Sequence, residues 1–395
     1  MESADDTIYL DHAATTPVAP AVLDAMLPYF VERFGNPSSI YQLGQDGRAA
    51  LDRARATVAR ILACQPAEIL FTSGATESDN QALSGVAWHR RLQGPTSPPP
   101  HIVTTSIEHH AVLHTADWLE RQGFSVTRVP ADEHGFVDRD DVARAIRPET
   151  CLVSVMYANN EIGSIQPLAE ISRITRDRGI PFHTDAVQAA GTLPLNVDDL
   201  GVDLLSLSAH KFYGPKGVGL LYVRRGTGIA YQQHGGGQES GRRGGTENVP
   251  GIVGMAVALE RADSSRADYH RHCSSLRDRL FAGLSEAVPD LELNGPTDWT
   301  RRLPNNLNVA IRGVQGETAL LSLDMQGIAA SAGSACTTGN SQPSHVLQAL
   351  GYGDERCRAS LRLTLGWSNT ADQIDETIDV LADTAARIRQ LSGVA

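Results

Sequence analysis

The chain has 395 residues, of which 41% are hydrophobic and 20% charged, and its net charge at pH 7 is −12. These values are typical of a globular protein with two or three domain-sized units, and the acidic balance argues against broad binding of nucleic acid through phosphates. No apolar stretch predicts a membrane span, and the acidic N-terminus lacks the pattern of a secretion signal.

The five cysteines form an odd set at long spacings without a C-x-x-C pair, which argues against disulfides or structural zinc and favours a cytoplasmic location. Cys336 lies in the Gly/Ser/Thr-rich stretch 331–344, which predicts a flexible loop with a reactive thiol. Cys357 is the second candidate nucleophile, because Arg356 and Arg358 would favour its thiolate. The cysteines interpreted as packing residues are Cys64, Cys151 and Cys273.

Hydrophobic patterning predicts strands that alternate with helices through most of the chain. The predicted strands are 8–10, 68–72, 101–105, 124–129, 151–156, 180–184, 203–208, 306–311 and 361–365. The predicted helices are 19–33, 47–62, a stretch from Gln81, 108–122, 138–147, 168–178, 253–262, 269–287 and a last helix capped by Thr370. Such alternation indicates a parallel sheet with crossover helices, in which ligands bind outside the carboxyl ends of the strands.

Polar residues follow four of these strands, and we expect them to meet at one crevice. They are Thr76, His109, Asn160 and Asp185. The small-residue stretch 73–80 before a helix is typical of a phosphate site, although a capped turn needs the same Ser and Thr residues. Asp185 would suit a protonated pyridine nitrogen, although it could equally cap the following helix.

Lys211 comes directly after the predicted buried strand 203–208, beside His210 and before the helix-breaking pair Gly214–Pro215. A lysine whose pKa is lowered by burial or by neighbouring charges can form a Schiff base with a carbonyl group. The pattern therefore predicts an amine held beside a cofactor, with a surface lysine on a turn as the alternative.

Two further histidines, His110 and His114, are one helical turn apart. This spacing can hold a metal ion, but no acidic or cysteine ligand accompanies the pair. A histidine at this switch from strand to helix could instead stack on a flat ring, carry protons or cap the helix.

Asp185, the run from Ser208 to Lys211 and the run from Gly214 to Gly217, together with several longer strings, resemble the cysteine desulfurases of the iron–sulfur-assembly type. That family belongs to the class V aminotransferase group of fold-type-I pyridoxal-phosphate enzymes. The matching strings are YLDHAATTP (9–17), FGNPSS (34–39), FTSGATESDN (71–80), NNEIG (159–163), HTDAVQ (183–188), RRGGTENV (242–249) and SAGSACTT (331–338). The last string is the most specific, because it separates this branch from the selenocysteine-lyase-like branch.

The resemblance implies an α/β fold of two parts. A large, mostly parallel-sheet domain would cover residues 16–262 and bind the cofactor. A smaller α+β domain would combine residues 1–15 with 263–395 and carry the cysteine loop 331–344.

Residue by residue, the resemblance implies pyridoxal 5′-phosphate as the cofactor, bound covalently by Lys211. The implied cofactor residues are Ala75, Thr76, His109, Asn160, Asp185, Gln188, Ser208, His210, Lys211 and Thr246. Thr246 would reach the cofactor phosphate of a partner subunit, which implies a homodimer. Asn160 and Arg362 would bind the substrate, because the planar fork of an arginine can grip a carboxylate.

The implied reaction converts L-cysteine to L-alanine and leaves the sulfur as a persulfide on Cys336, with Lys211 and His109 as the other catalytic residues. The sulfur would pass to an acceptor protein such as an iron–sulfur scaffold, and Cys336 could serve as a transient cluster ligand. Transfer RNA thiolation, DNA phosphorothioation and a biosynthetic sulfur carrier stay open as destinations. The alternatives are a selenocysteine lyase or aminotransferase on the same scaffold, and a non-catalytic scaffold for assembly partners.

Overall fold

The computed structural model describes residues 7–94, 98–332 and 343–393. Its helices are α1 (Pro20–Met26), α2 (Pro28–Val31), α3 (Gln42–Leu62), α4 (Ala75–Leu92), α5 (His110–Arg121), α6 (Arg139–Ala145), α7 (Leu168–Asp177), α8 (Val197–Leu200), α9 (Gln238–Gly241), α10 (Val249–Ser264), α11 (Arg266–Ala287), α12 (Gly316–Asp324), α13 (His345–Ala349), α14 (Asp354–Arg358) and α15 (Ala371–Ser392). Its strands are β1 (Ile8–Tyr9), β2 (Ile69–Thr72), β3 (His101–Thr105), β4 (Ser125–Val129), β5 (Thr150–Ser154), β6 (Phe182–Asp185), β7 (Leu204–Ser208), β8 (Gly219–Val223), β9 (Leu291–Leu293), β10 (Asn306–Ile311), β11 (Ile328–Ala329) and β12 (Ser360–Thr364). Within these described ranges, no helix combines the length and the apolar character that crossing a membrane requires.

The largest sheet has seven strands in the order β2-β8-β7-β6-β5-β3-β4. The strands from β7 to β4 pair in parallel, whereas β8 is antiparallel to both β7 and β2. Most of these strands are buried along their whole length, and such strands appear in the sequence as continuous apolar runs. The predicted α/β fold with a mostly parallel sheet is therefore confirmed.

The helix after β2 begins earlier than predicted. It starts at Ala75, whereas the sequence pattern predicted a loop up to Asn80 and a helical stretch from Gln81. The Ser, Thr and Glu residues of this stretch form the first turns of α4, and its preceding residue Gly74 has φ +154°. That backbone conformation is almost restricted to glycine, so the chain can turn sharply from the strand into the helix.

Two other helices also differ from their predicted limits. The predicted helix 19–33 divides at Leu27, because Pro28 has no N–H group to continue the helical hydrogen bonds. Helix α3 begins at Gln42 and not at Gly47. Its early turns include Gly44, where a Cβ atom would lie 2.4 Å from the carbonyl oxygen of Ser39.

A second, smaller group of strands stands apart from the large sheet. Strands β12, β10 and β9 form an antiparallel sheet, and the N-terminal strand β1 pairs in parallel with β11. Apolar residues of these strands pack against α11 and α15 in a separate hydrophobic core. The predicted boundaries at residues 16 and 262 stay a prediction.

We expect a substitution of Gly219 by Ala to destabilise the fold by about 1–3 kcal/mol, because it overpacks a full site. A Cβ atom at this position in β8 would lie 2.6 Å from the Cα atom of Gly74 and 2.6 Å from the carbonyl oxygen of Leu207. Urea unfolding of the two proteins measures the difference. Gly353→Ala is the matched control, because its new Cβ would meet nothing within 4 Å. Equal stability of Gly219→Ala and wild type would contradict the close approach of these strands.

Candidate active site

The carboxyl ends of several parallel strands border one cavity with a volume of about 530 Å³. It is lined by these predicted site residues: Ala75, Thr76, His109, Asn160, Asp185, Gln188, Ser208, His210, Lys211 and Arg362. Thr246 is not among the residues that line the cavity, and it is exposed. Cys336 lies outside the described residues, so its position relative to the cavity stays a prediction.

The amine of Lys211 is held by the N-terminal segment of the chain. Lys211 lies on a short 3₁₀ turn directly after β7. Its Nζ donates hydrogen bonds to the carbonyl oxygens of Ala13 at 2.6 Å and Ala14 at 2.7 Å. The same segment is bound to Gln188, whose Nε2 donates to the Ala13 oxygen at 3.0 Å. The sequence pattern predicted the position of the lysine but not these acceptors.

Asp185 is the last residue of β6, and its side chain is buried beside the cavity. One carboxylate oxygen accepts a hydrogen bond from the backbone N–H of Val187 at 2.9 Å. Burial raises the pKa of Asp185 to about 6, against the opposing charge of Lys211. A cationic group placed against this carboxylate would favour its ionised form.

Two more buried carboxyl groups lie near Asp185, and the sequence analysis did not single them out. Asp79 in α4 is fully buried, and neither of its oxygens has a hydrogen-bond partner among the described residues. Burial and the charge of Asp185 raise the pKa of Asp79 well above its ordinary value. Burial likewise raises the pKa of Glu108 to about 8. Glu108 therefore holds a proton at pH 7, and the pKa of Asp79 is shifted in the same direction.

His109 stands at the start of α5, where its Nδ1 accepts a hydrogen bond from the backbone N–H of Ala111 at 3.1 Å. The partial loss of hydration at the ring is the main cause that lowers the pKa of His109 below its ordinary value, and the charge of Lys211 is the second. The ring is therefore neutral at pH 7. Because Nδ1 accepts a hydrogen bond, the neutral ring carries its proton on Nε2. His109 therefore offers a hydrogen-bond donor to the cavity.

The neighbouring histidines do not form a metal site. The rings of His110 and His114 stack with their centres 4.7 Å apart, and His345 lies 4.5 Å from His110. Across residues 7–94, 98–332 and 343–393, no group of three or more His, Cys, Asp or Glu side chains could hold a metal ion.

One end of the cavity is built to bind an anion. Ala75 and Thr76 form the first turn of α4, an 18-residue helix whose N-terminal N–H groups have no partner within the helix. Ser208, at the end of β7, adds a hydroxyl to this lining. His210 is fixed by a hydrogen bond between its Nδ1 and Thr15 Oγ1 at 3.1 Å. These groups match the phosphate site that the resemblance implies.

The segment that carries Thr246 is joined to helices α3 and α4 by ion pairs. Glu239, which is buried with φ +47°, accepts two hydrogen bonds from Arg55, at 2.5 and 3.0 Å. Farther along, Arg243 donates to Glu77, which directly follows the cavity residue Thr76. The exposed Thr246 is thus carried by a backbone with a fixed path.

The substrate side of the cavity contains an ion pair that the sequence analysis missed. Nη2 of Arg362 donates to Oδ1 of Asp11 at 2.6 Å, and Nη1 donates to the carbonyl oxygen of Asn160 at 3.2 Å. Arg362 Nε is buried and has no partner among the described residues. No local pattern could reveal the pair, because the two residues are 351 positions apart.

Described residues anchor both ends of the segment that contains Cys336. Ser331 and Arg362 exchange backbone hydrogen bonds in an antiparallel bridge. Beyond the segment, Ser344 Oγ donates to the buried carboxylate of Glu161 at 2.5 Å. The cysteine segment thus begins on the backbone of the proposed substrate arginine.

The structure corrects the interpretation of Cys357. Arg356 pairs with Glu292 at 2.6 Å and with Asn294 at 2.8 Å, and burial outweighs the lowering effect of its charge on the pKa of the thiol. Cys357 is buried, and burial raises the pKa of its thiol, which disfavours the thiolate. Burial also raises the pKa of the three cysteines interpreted as packing residues to about 12: Cys64, Cys151 and Cys273.

Comparisons with known proteins identify the family of this chain. The profile of the Aminotransferase class-V family matches residues 8–377. Cysteine desulfurase IscS from Clostridium botulinum is 49% identical over 385 residues, which cover 98% of this chain and 96% of that protein. Cysteine desulfurase IscS from Methanosarcina thermophila is 49% identical over 392 residues, which cover 99% of this chain and 95% of that protein.

Solved structures with a similar fold point to the same family. A NifS-like protein superimposes with a TM-score of 0.89 and 37% identity, covering 96% of this chain and 100% of its own. SspA in complex with cysteine superimposes with a TM-score of 0.80 and 36% identity, covering 91% of this chain and 99% of its own. The chain therefore belongs to the class V aminotransferase family and, within it, to the cysteine desulfurases.

Proposed function

We propose that the protein takes sulfur from L-cysteine, releases L-alanine and passes the sulfur through Cys336 to an acceptor protein. One observation carries this proposal: an amine (Lys211), a buried carboxyl group (Asp185) and a guanidinium group (Arg362) line the same cavity. L-Cysteine as the substrate is also supported by the similarity to SspA, whose structure is in complex with cysteine.

Pyridoxal 5′-phosphate is the cofactor that this proposal requires, and the residues present fit it. Asp185 is a buried carboxyl group that accepts a hydrogen bond from Val187 N–H and lies in the field of the Lys211 charge, and it suits a protonated ring nitrogen. The first turn of α4, with Thr76 and Ser208, suits the phosphate. Lys211 supplies the amine for covalent attachment. When bound, the cofactor supplies an electron sink that allows bonds at the substrate Cα to break.

Lys211 has a second role once the substrate amine has replaced it. The freed amine can move the proton at the substrate Cα, because it stays in the same cavity. The carbonyl oxygens of Ala13 and Ala14, which accept hydrogen bonds from Nζ in this structure, would then hold the amine that has taken up the proton.

The substrate carboxylate is proposed to bind Arg362 and Asn160. Arg362 is almost fully buried, and its Nε–H has no described partner, so an incoming carboxylate can satisfy that donor. Asn160 shares the cavity and receives Arg362 on its backbone oxygen. The amino and carboxylate groups of one small amino acid can therefore be held at the same time.

His109 is proposed to stack on the cofactor ring and to handle the proton of the substrate thiol. In its present tautomer it donates from Nε2. To accept a proton, its Nδ1 must release the backbone N–H of Ala111, a bond of 3.1 Å at a helix terminus. His109 thus begins as a hydrogen-bond donor and becomes a proton carrier only when this bond opens.

Cys336 is proposed as the nucleophile. Its thiolate attacks the substrate sulfur, so that an S–S bond forms while the C–S bond of the substrate breaks. The carbon keeps the electron pair and takes a proton, which gives alanine. The sulfur then leaves to an acceptor such as an iron–sulfur scaffold protein, with the other sulfur destinations still open. The cytoplasmic location and a transient role of Cys336 as a cluster ligand stay predictions of the sequence.

A homodimer is proposed because the chain exposes an apolar surface and an unused site residue. Thr246 is exposed and does not line the cavity of its own chain. Large apolar side chains are exposed around α1 and α2, and surfaces of this kind mark interaction sites. These side chains are Leu23, Leu27, Phe30, Val31, Phe34, Ile40 and Tyr41.

Wild-type protein is expected to release alanine and sulfide from L-cysteine in the presence of a reductant, and Cys336→Ala is expected to release neither. The substitution removes the proposed nucleophile but should leave the visible absorption of the cofactor intact. Cys273→Ala is the matched control, because Cys273 is buried in α11. Equal release by Cys336→Ala would contradict the role of this thiol, and loss of its visible absorption would contradict the separation of cofactor binding from sulfur transfer.

Asp185→Asn is expected to stabilise the cofactor-free protein at pH 8 while it abolishes desulfuration. The pKa of Asp185 is raised in the folded state to about 6, so its stabilising contribution is complete below about pH 4 and is lost as the pH rises through 6. The amide of the variant does not ionise, so the variant does not lose this stability. The loss in the wild-type protein amounts to up to about 3 kcal/mol in the free energy of unfolding above pH 6. Thermal unfolding at pH 4.5 and 8 measures the effect, with the exposed Asp24→Asn as control. If the unfolding temperatures of the variant and the wild type differ by the same amount at both pH values, the raised pKa of Asp185 is contradicted.

Sedimentation is expected to give twice the chain mass of 42.4 kDa. Replacing Phe30 and Val31 by Asp should shift the mass to that of one chain, because charges on an apolar interface oppose association. Leu391→Asp is the control, since Leu391 is equally apolar and exposed but lies at the end of α15. A monomeric wild-type protein with full activity would contradict the role of Thr246 in a partner's site.

A further inference from the structure

The N-terminal strand brings a carboxylate to the side chain of Arg362. Asp11 follows β1 and forms a parallel bridge with Thr364 of β12. The backbone on both sides of Asp11 is fixed, because Leu10 O accepts from Thr364 N at 2.7 Å and His12 N donates to Thr364 O at 3.3 Å. Thr364 and Arg362 are two residues apart on one strand, so their side chains leave the same face. Asp11 is therefore placed beside Arg362 by main-chain pairing.

The resulting ion pair is short and mostly enclosed. Nη2 of Arg362 lies 2.6 Å from Oδ1 of Asp11, and the two side chains are only 2% and 18% exposed. Nη1 is held by the carbonyl oxygen of Asn160, whereas Nε has no partner among the described residues. Two contacts, one at Nη1 and one at Nη2, thus fix the plane of the guanidinium group. Its buried Nε–H group has no acceptor among the described residues.

We propose that Asp11 is the positioning residue for Arg362, holding the guanidinium so that its remaining N–H groups face the carboxylate of the substrate. This proposal rests on the proposed function, in which Arg362 binds the carboxylate of L-cysteine. A buried arginine without a counter-ion is costly, so Asp11 also balances its charge while no substrate is bound. The fork geometry of arginine is useful only when its plane is fixed, which is what the Asp11 contact achieves.

Removing Asp11 has two opposing effects on substrate binding. It leaves a full positive charge at Arg362, which attracts a carboxylate more strongly. It also frees the guanidinium to rotate and to bond elsewhere. Because the site is enclosed and the pair is short, we expect the loss of orientation to outweigh the gain in charge. Asp11→Ala should therefore raise the KM for L-cysteine by about 10- to 100-fold. This is the change in affinity that usually follows the loss of one hydrogen bond to a charged group.

The test is a double-mutant cycle on the cofactor-loaded enzyme with wild type, Asp11→Ala, Arg362→Ala and the double variant. If Asp11 acts through Arg362, Asp11→Ala raises KM in the wild-type background, with a smaller change in kcat, and has no further effect once Arg362 is gone. An unchanged KM, or equal increases in both backgrounds, would overturn the proposal. The exposed Asp24→Asn serves as the control for loss of one acidic charge.

A second readout does not depend on turnover. L-Alanine carries the same carboxylate without the thiol, so calorimetry of its binding should show the same pattern of losses across the four proteins. Asp11→Asn keeps an acceptor oxygen without the charge, and it should weaken L-alanine binding less than Asp11→Ala does. If Asp11→Ala does not fold, the cycle is run with Asp11→Asn, and an effect of equal size in the presence and absence of Arg362 would overturn the proposal.

The proposed function and the role of Asp11 are contradicted by different results. A wild-type protein that forms no alanine from L-cysteine contradicts the proposed function. An active wild-type protein in which the effects of Asp11→Ala and Arg362→Ala are independent contradicts only the role of Asp11.

Discussion

The hydrogen bonds from Lys211 to the N-terminal segment are the constraint on which the site depends. The lysine belongs to the end of a strand of the large sheet, whereas Ala13 and Ala14 continue the chain from β1, which pairs with β11. Two short contacts at one ammonium group therefore join the large sheet to the smaller group of strands. The same stretch of chain supplies Asp11 to Arg362 and an acceptor to Gln188, so a shift of this segment would displace the amine, the guanidinium and the amide together.

Burial defines the chemistry of the carboxyl groups at the cavity. Asp79, Glu108 and Asp185 are almost fully buried, and carboxylates packed closely in such surroundings cannot all be charged. The charge of Lys211 acts against this rise at Asp185, whose pKa reaches about 6, whereas the pKa of Glu108 reaches about 8. The fold thus selects one ionisable carboxyl group from three by its surroundings alone.

Much of this arrangement could be predicted from the sequence, because the informative signals are local. The apolar runs 101–105 and 306–311 are strands with exactly those ends, and polar residues after strand ends meet as the parallel topology requires. Two of the differences between sequence and structure come from non-local contacts, and a third comes from a local ambiguity. Cys357 was misjudged because Arg356 turns toward Glu292, which a sequence neighbourhood cannot show. Asp11 was overlooked because its importance arises from pairing with β12, at the other end of the chain. The start of α4 was misplaced because small polar residues suit both a loop and the first turns of a helix.

The backbone bridge between Ser331 and Arg362 also limits how far the sulfur can travel. Five peptide units separate Ser331 from Cys336 in the sequence, and a fully extended chain of that length spans about 18 Å at most. The backbone of Cys336 can therefore lie no farther than that from Ser331. If Cys336 carries the sulfur, as proposed, an acceptor protein must bring its own reactive atom into the same neighbourhood, so that the shape of the acceptor and the way it docks limit which protein can receive the sulfur.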